Sequence, residues 1–374
     1  MDMNEYIYYF LKFAGKEIDR NASGTTFKEV SGKVVSHILL PLPPLEEQNR
    51  IVAKVDQLMA LCDELEARQQ KKQETRINLN NAALDKLLTA PTPEEFAQHW
   101  QRICDNFDLL YDAPETVGQL RQAILQLAVQ GKLVAQDEGD EPAAVLLEII
   151  KGIKQRLAKE KKIKTAKLLP TIDSDEIPYN LPDNWEWVRL GVVVNYNDAK
   201  KVSSNKIPED AWLLGLEDIE KDTSRIIQRV TFKDNRSKST KAKFEEGDVL
   251  YGKLRPYLNK VIVADKDGFC TTEIIPLKGY YGIFPKYLMY ALKRPEFLEY
   301  VNSKTYGINL PRLGTEDARS ALFPLPPFEE QKRIVAKVDQ LMALCDELEA
   351  KLVQAQIDGG KLMEAVVSKL VDAY

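Results

Sequence analysis

The sequence predicts an α+β protein in which long helices flank a globular, strand-rich domain. Two observations carry this expectation. A 27-residue stretch occurs twice, as PLPPLEEQNRIVAKVDQLMALCDELEA at 41–67 and PLPPFEEQKRIVAKVDQLMALCDELEA at 324–350, with differences only at Leu45/Phe328 and Asn49/Lys332. Between the copies, from about residue 182, helical periodicity gives way to short runs rich in Val, Ile, Tyr, Phe and Thr, broken by Gly-Asp, Arg-Pro and Asp-Gly turn signals. Near-identical helical stretches around unrelated sequence suggest paired spacers holding something different between them.

Residues 1–40 read as the C-terminal remnant of a first domain. EYIYYFLKF at 5–13 matches KYLMYALKR at 286–294, and each is followed by a Gly-containing loop and then PLPP. The complete counterpart ends near Phe323, and the remnant is expected to be partly disordered or repacked. Residues 41–90 form the first spacer helix. Pro43 and Pro44 punctuate its start, and Glu46 and Glu47 suit the positive end of a helix dipole. Ile51, Val55, Leu58, Cys62 and Leu65 alternate steps of four and three, a coiled-coil seam repeated as Ile334, Val338, Leu341, Cys345 and Leu348. Helical throughout, residues 46–88 reach roughly 60 Å at about 1.5 Å per residue. The polar QQKKQE section weakens the seam.

Pro91 and Pro93 end that helix, and 91–181 read as a helical linker. Leu120, Ile124, Leu127 and Ala128 share one face, Gly131 suits the position just past a helix end, and 141–167 read as a helix closing on the basic run KEKKIKTAK, taken as a solvated face. The globular domain spans 182–323. Its strands are expected within 181–194, 225–232, 248–254, 260–264 and 271–277, with a helix over 285–300. Residues 324–374 form the second spacer helix.

Bulk properties exclude several functions. No run approaches the roughly 18 apolar residues of a membrane span, and residues 1–10 lack the basic-then-apolar order of a signal peptide. Cys62, Cys104, Cys270 and Cys345 have no CxxC spacing, which with the rest predicts a cytoplasmic protein with reduced thiols. LPPF at 325–328 resembles the [NDS]PP[YF] motif of amino-methyltransferases, but Leu325 cannot accept a hydrogen bond from a target amino group. Gly131-Lys132 and Gly360-Lys361 lack the upstream Gly and following Ser or Thr of a phosphate loop. With only His37 and His99, a His-based metal site or triad has little material. Asp267, Glu273 and Lys278 fit no nuclease spacing and read as surface strand. No catalytic residue and no metal ligand is assigned.

The net charge of −5 conceals a split. Residues 186–320 hold 23 Lys and Arg against 19 Asp and Glu, a net of +4, which leaves −9 elsewhere. Nucleic acid is therefore expected to meet the middle. Three clusters are candidates. Arg225, Arg229, Lys233, Arg236, Lys238, Lys241 and Lys243 are interrupted by a single acid, Asp234, and interleaved with Ser and Thr hydroxyls suited to phosphate. Lys253, Arg255, Tyr257, Asn259 and Lys260 offer a fork donor for guanine, an amide for adenine and ammonium groups for phosphate. Tyr306, Asn309 and Arg312 lie on a loop shaped by Gly307 and Pro311, residues that a purely conformational role also explains.

With the duplicated motif, LRQAILQLAVQGKLV at 120–134, LPDNWEWVRLG at 181–191 and FEEGDVLYGKLRPYLNKVIVADKDGFCTTEI at 244–274, the chain resembles the DNA-specificity subunits of Type I restriction-modification systems over nearly its whole length. The resemblance implies a target-recognition domain at 182–323, a partner-binding role for 91–181, and helices paired as an antiparallel coiled coil that spaces two half-site readers. It implies double-stranded DNA, modification subunits that use S-adenosylmethionine to methylate adenine N6, and restriction subunits that use ATP and Mg. By the same resemblance this chain holds no cofactor and performs no chemistry. Members usually carry two complete recognition domains, whereas only about 40 residues of the first are present here. A truncated or regulatory subunit without useful sequence-specific binding is the competing expectation, and a second copy of the chain is a further candidate partner.

Overall fold

The computed structural model describes residues 3–20, 22, 28–161, 169–196, 198–307 and 310–372. The chain divides into two compact units, residues 1–79 and 80–374. Among the described residues no helix is long and apolar enough to cross a membrane.

The first unit holds α1 (Met3–Phe13), α2 (Gly15–Arg20), α3 (Gly32–Val35) and most of α4 (Leu45–Leu88). Ser31 caps α3 by accepting from the Val34 amide at 3.4 Å, and the Pro44 carbonyl accepts the Glu47 and Gln48 amides that open α4. Tyr6 donates to the Pro41 carbonyl at 2.7 Å, Tyr9 to Asp56, and Gln48 Nε2 to the Pro43 carbonyl at 2.8 Å.

In the second unit the end of α4 joins α5 (Pro93–Asp105), α6 (Phe107–Leu110) and α7 (Pro114–Val129) around Leu84, Leu87, Ile103, Leu110 and Leu127. Thr92 caps α5 and Pro93 occupies its first turn. α7 ends where Gly131 adopts φ +69° and the Lys132 amide bonds the Leu127 carbonyl. A Cβ at Gly131 would also lie 2.5 Å from Pro182 Cγ, so conformation and space both require glycine. α8 (Ala143–Lys159) follows; the basic run beyond Lys161 lies outside the described residues.

The domain opens with β1 (Glu186–Arg189), α9 (Leu190–Val193), β2 (Val194–Tyr196), β3 (Lys201–Val202), β4 (Trp212–Leu214) and β5 (Val230–Thr231). It continues through β6 (Lys241–Phe244), β7 (Val249–Gly252), β8 (Val261–Val263), β9 (Gly268–Cys270) and β10 (Ile274–Gly279). Then come α10 (Pro285–Lys293), α11 (Pro295–Lys304), α12 (Thr315–Ser320), β11 (Leu322–Leu325) and α13 (Phe328–Asp372). The sheets have orders β2-β10-β7-β8, β3-β6-β9-β4-β5 and β1-β11, with β4-β9 the parallel pair. The α+β class is as expected from the sequence. The helix expected over 285–300 is two helices, because Pro295 forces Arg294 to ψ 151°. β3, β4, β6, β9 and β11 were not anticipated. They are short or carry Lys, and gain strand geometry from neighbours more than from propensity.

Arg189, buried in β1, donates to both Glu176 oxygens and to the carbonyls of Pro170, Thr171 and Ser320, so the chain before the domain is laced onto β1 and the end of α12. On α13, the Glu330 carboxylate is wholly buried and accepts Trp185 Nε1 at 2.9 Å and Gln136 Nε2 at 2.7 Å. Arg333, one turn on, pairs with Asp140 at 2.5 Å. α13 is thereby fastened to the α7–α8 loop and to the start of β1.

The aromatic helices are equivalent in detail. Tyr287 donates to the Pro324 carbonyl, Tyr290 to Asp339 and Gln331 Nε2 to the Pro326 carbonyl, the counterparts of the Tyr6, Tyr9 and Gln48 bonds. α1 is therefore not repacked, a correction to the expectation for 1–40; residues 21 and 23–27 lie outside the described set. The seams differ. In the second copy Ile334, Val338 and Cys345 are buried beneath α7 and α10, with Leu341 and Leu348 half-buried. In the first, Ile51, Leu58, Cys62 and Leu65 are exposed and Val55 is half-buried, while Val52 is buried like its counterpart Val335. One sequence has two environments because the covering residues come from elsewhere in the chain.

Ile51 is 37% exposed and Ile334 0%, which makes the twins an internal control. Ile334→Ala is expected to cost about 2–4 kcal/mol in urea unfolding, and Ile51→Ala under about 1 kcal/mol. Equal costs would show that the seams share one environment.

Candidate nucleic-acid interface

Two of the three basic clusters meet in space. The Arg255 amide bonds the Pro311 carbonyl at 2.8 Å, the Leu313 amide the Lys253 carbonyl at 3.1 Å, and the Lys253 amide the Glu273 carbonyl at 2.9 Å. Isolated bridges join Leu254 to Arg312 and Tyr306 to Arg312. The loops of 253–258 and, among the described residues, 304–307 and 310–313 therefore form one surface, braced by Glu273 just before β10.

Backbone geometry sharpens it. Arg255 (φ 49°) and Asn259 (φ 50°) are both left-handed and bracket a single turn at Pro256–Leu258. Left-handed conformation costs non-glycine residues energy, and here the amide ladder to Pro311 and the Leu258 and Asn259 amide bonds hold it. Arg255 and Tyr257 are exposed on this turn, with Tyr306 exposed on the companion loop and Lys253 half-buried between. None of these four side chains has a hydrogen-bond or ion-pair partner among the described residues.

Other anticipated residues are committed elsewhere. Arg312 pairs with Glu273 at 3.0 Å, which raises its already high pKa and clamps the loop. Asn259 is buried, with Nδ2 unpartnered, and Lys260 donates to the Leu216 carbonyl at 2.7 Å. Lys241, expected to grip phosphate, is buried in β6 and donates to Ser237 and Ser239; burial lowers its pKa. Arg225 pairs with Asp346 of α13 at 3.0 Å, Arg236 with Glu209, and Arg229 with Asp265 while lying 4.5 Å over the Trp212 ring. Lys243 lines a cleft with Asp198, Glu245, Asp248 and Lys278. Of that first cluster, Lys233 and Lys238 are exposed, each with its ammonium unpartnered among the described residues. Asn309 lies outside the described residues.

The residues read as surface strand take separate jobs. Glu273 is the clamp on Arg312, Lys278 pairs with Glu245 at 2.6 Å, and Asp267 accepts the Glu246 amide. Among the described residues no cluster of His, Cys, Asp or Glu could hold a metal ion. Trp212, which anchors Arg229, and Glu273 were missed as supports. Their partners stand 17 and 39 positions away, beyond the reach of local pattern.

A family model described as the Type I restriction modification DNA specificity domain matches residues 2–75 and 182–357. The chain belongs to this family. It is 35% identical over 327 residues to the Type I restriction enzyme EcoAI specificity subunit of Escherichia coli, covering 83% of this chain and 54% of that protein. To the EcoEI specificity subunit of Escherichia coli it is 31% identical over 348 residues, covering 88% and 58%. The chain thus spans little more than half the length of these curated relatives. Among solved structures, the HsdS subunit from Thermoanaerobacter tengcongensis is similar at 20% identity and a TM-score of 0.40, covering 98% of this chain and 69% of that one. The family match takes in both copies of the duplicated motif and the whole surface formed by the two loops.

Lys293 braces a loop of the domain: buried in α10, it donates to the Asp222 carbonyl and to Ser224, in a turn where both residues have positive φ. Burial pushes its pKa down to about 8. The unfolded chain then holds more protons than the fold above that pH, so stability rises with pH from about 8 toward the ordinary lysine value. From pH 7 to 9 the protein is expected to gain about 1 kcal/mol relative to Lys293→Met in chemical unfolding. A flat difference between the two would show that Lys293 titrates normally.

Proposed function

We propose that this chain is a DNA-reading portion of a Type I specificity subunit and that its joined loops contact one half of a bipartite duplex target. The observation that carries the reading is the set of Lys253, Arg255, Tyr257 and Tyr306, unpaired among the described residues, on loops braced by backbone hydrogen bonds and by the Glu273–Arg312 pair. Lys253 and Lys238 suit phosphates, which position a protein without reading sequence. Arg255 suits a guanine edge, where a fork donor meets two acceptors. The tyrosine rings suit sugar or base faces. A braced surface limits the ordering entropy that binding costs.

In this reading the chain, in the cytoplasm, performs no reaction. Adenine-N6 methylation belongs to modification subunits that hold S-adenosylmethionine, and cleavage to restriction subunits that hold ATP and Mg. Successive major-groove faces lie roughly 34 Å apart, and α4, 44 residues long, spans about 66 Å, enough for a half-site spacer. A second reading is favoured by the engagement of Arg225, Arg229, Arg236 and Arg312 in ion pairs. It is a regulatory subunit that binds modification subunits without useful sequence preference.

Binding by the chain with its modification partner, measured across salt concentrations and a library of duplexes, separates the two. Arg255→Ala is expected to cost about 1–3 kcal/mol and relax choice at one base pair. Lys253→Ala should lower the salt slope by about 1 across all sequences, while Lys241→Met should leave that slope unchanged and reduce stability. Duplexes bound equally well regardless of sequence would favour the regulatory reading.

A further inference from the structure

Left-handed backbone is concentrated in one place. Among the described residues five non-glycine residues have positive φ, and four of them, Asp222 (62°), Ser224 (64°), Arg255 (49°) and Asn259 (50°), lie in two loops that touch. Such backbone is unfavourable for a residue with a Cβ and persists only where its surroundings hold it. The first loop is the tip of a hairpin, residues 216–228, closed by the Ile219–Ile226 bridge and by the Glu220 amide on the Arg225 carbonyl at 2.8 Å. Buried Asp218 fixes its base by accepting the Gly215 amide at 2.7 Å and Gln228 Nε2 at 2.8 Å. Two bonds join the hairpin to the second loop: Lys260 Nζ donates to the Leu216 carbonyl at 2.7 Å, and the Asp222 amide to the Leu258 carbonyl at 3.3 Å. The second of these reaches the single turn on which Arg255 and Tyr257 are exposed.

Lys293 pins the hairpin tip. It is 6% exposed, and its ammonium donates to the Asp222 carbonyl at 2.7 Å and to Ser224 Oγ. Its own position is fixed because α10 ends there: Pro295 breaks the helix, and buried Arg294 donates to the Ala291 and Leu322 carbonyls. α11, which follows at once, packs against the Pro256–Leu258 turn. Charge-assisted bonds made away from water are strong, whereas the tip's other ion pair, Arg225 with Asp346, is exposed on both sides and contributes little. We propose that Lys293 is a positioning residue for the turn that presents Arg255 and Tyr257, acting through Asp222 and Ser224. Lys293 holds both residues in left-handed backbone, the Asp222 amide is thereby aimed at the Leu258 carbonyl, and the turn keeps the conformation that exposes Arg255. Enclosed as it is, Lys293 would not meet a duplex itself. Its part in base choice rests on the reading of DNA proposed above; its hold on the turn does not.

The test is hydrogen–deuterium exchange of the full chain, read at the Arg255, Leu258 and Asn259 amides with β1 and β11 as reference. Lys293→Met is expected to speed exchange at those three amides about tenfold or more while β1 and β11 stay within about twofold. Should that variant fail to fold, Ser224→Gly removes the hydroxyl, keeps a residue at ease with positive φ, and is expected to give a rise of about threefold at the same amides. No change there would overturn the proposal, as would an equal rise in β1 and β11, which marks a general structural role. Arg225→Ala matching Lys293→Met would overturn it by giving the pin to α13. Binding to a duplex library with the modification partner then reads base choice: Lys293→Met is expected to relax discrimination about three- to tenfold at the base pair that Arg255→Ala relaxes, and to add nothing in the double variant. Relaxation by Arg255→Ala without relaxation by Lys293→Met would overturn the positioning role in recognition. If Arg255→Ala itself leaves base choice unchanged, the reading of DNA fails, and the exchange result alone decides what Lys293 does.

Discussion

The second unit depends on one buried carboxylate. Glu330 has no solvent exposure and an elevated pKa from burial, and its two oxygens are met by Trp185 Nε1 and Gln136 Nε2. Burying such a group is unfavourable unless its hydrogen-bonding capacity is filled with good geometry, so the arrangement tolerates little sliding. Because the three residues come from α13, from the α7–α8 loop and from the turn before β1, one interaction sets the register of all three. Arg333 with Asp140 and Arg189 with Glu176 extend the constraint to either side. The domain is thereby held at a fixed attitude to the helix that follows it.

The surface formed by the two loops follows from the same kind of constraint at smaller scale. Arg255 is presented by a turn whose left-handed residues would be unfavourable in isolation, and the cost is offset by amide bonds to Pro311 and by Glu273 holding Arg312. Side chains that the sequence placed in three candidate clusters separate into those that are buried or brace the loops and those exposed upon them. Lys241 and Asn259 are interior, Lys260 and Arg312 are struts, and Arg255, Tyr257 and Tyr306 are exposed beside a half-buried Lys253.

Much of the architecture was legible beforehand. The duplication, the helix starts after the double prolines, the Gly131 stop and the β-rich span were read from local signals, because each depends on a residue and its near neighbours. Strands such as β4 and β9 were not, since two or three residues carry no periodicity and their geometry is imposed by partners tens of positions away. The break at Arg294 was readable from Pro295, yet the helical pattern continuing through it masked the signal.

The sequence by itself determined the family, the α+β class, the duplicated helical motif and the location of the positive charge. It could not assign burial to identical residues: Ile51 and Ile334 sit in the same motif, one exposed and one enclosed. Nor could it say which lysines are free, because charge composition is additive along a chain while pairing depends on distance in space. Those assignments came from the tertiary structure alone, where long-range contacts decide which copy of a repeated surface is covered and which remains open.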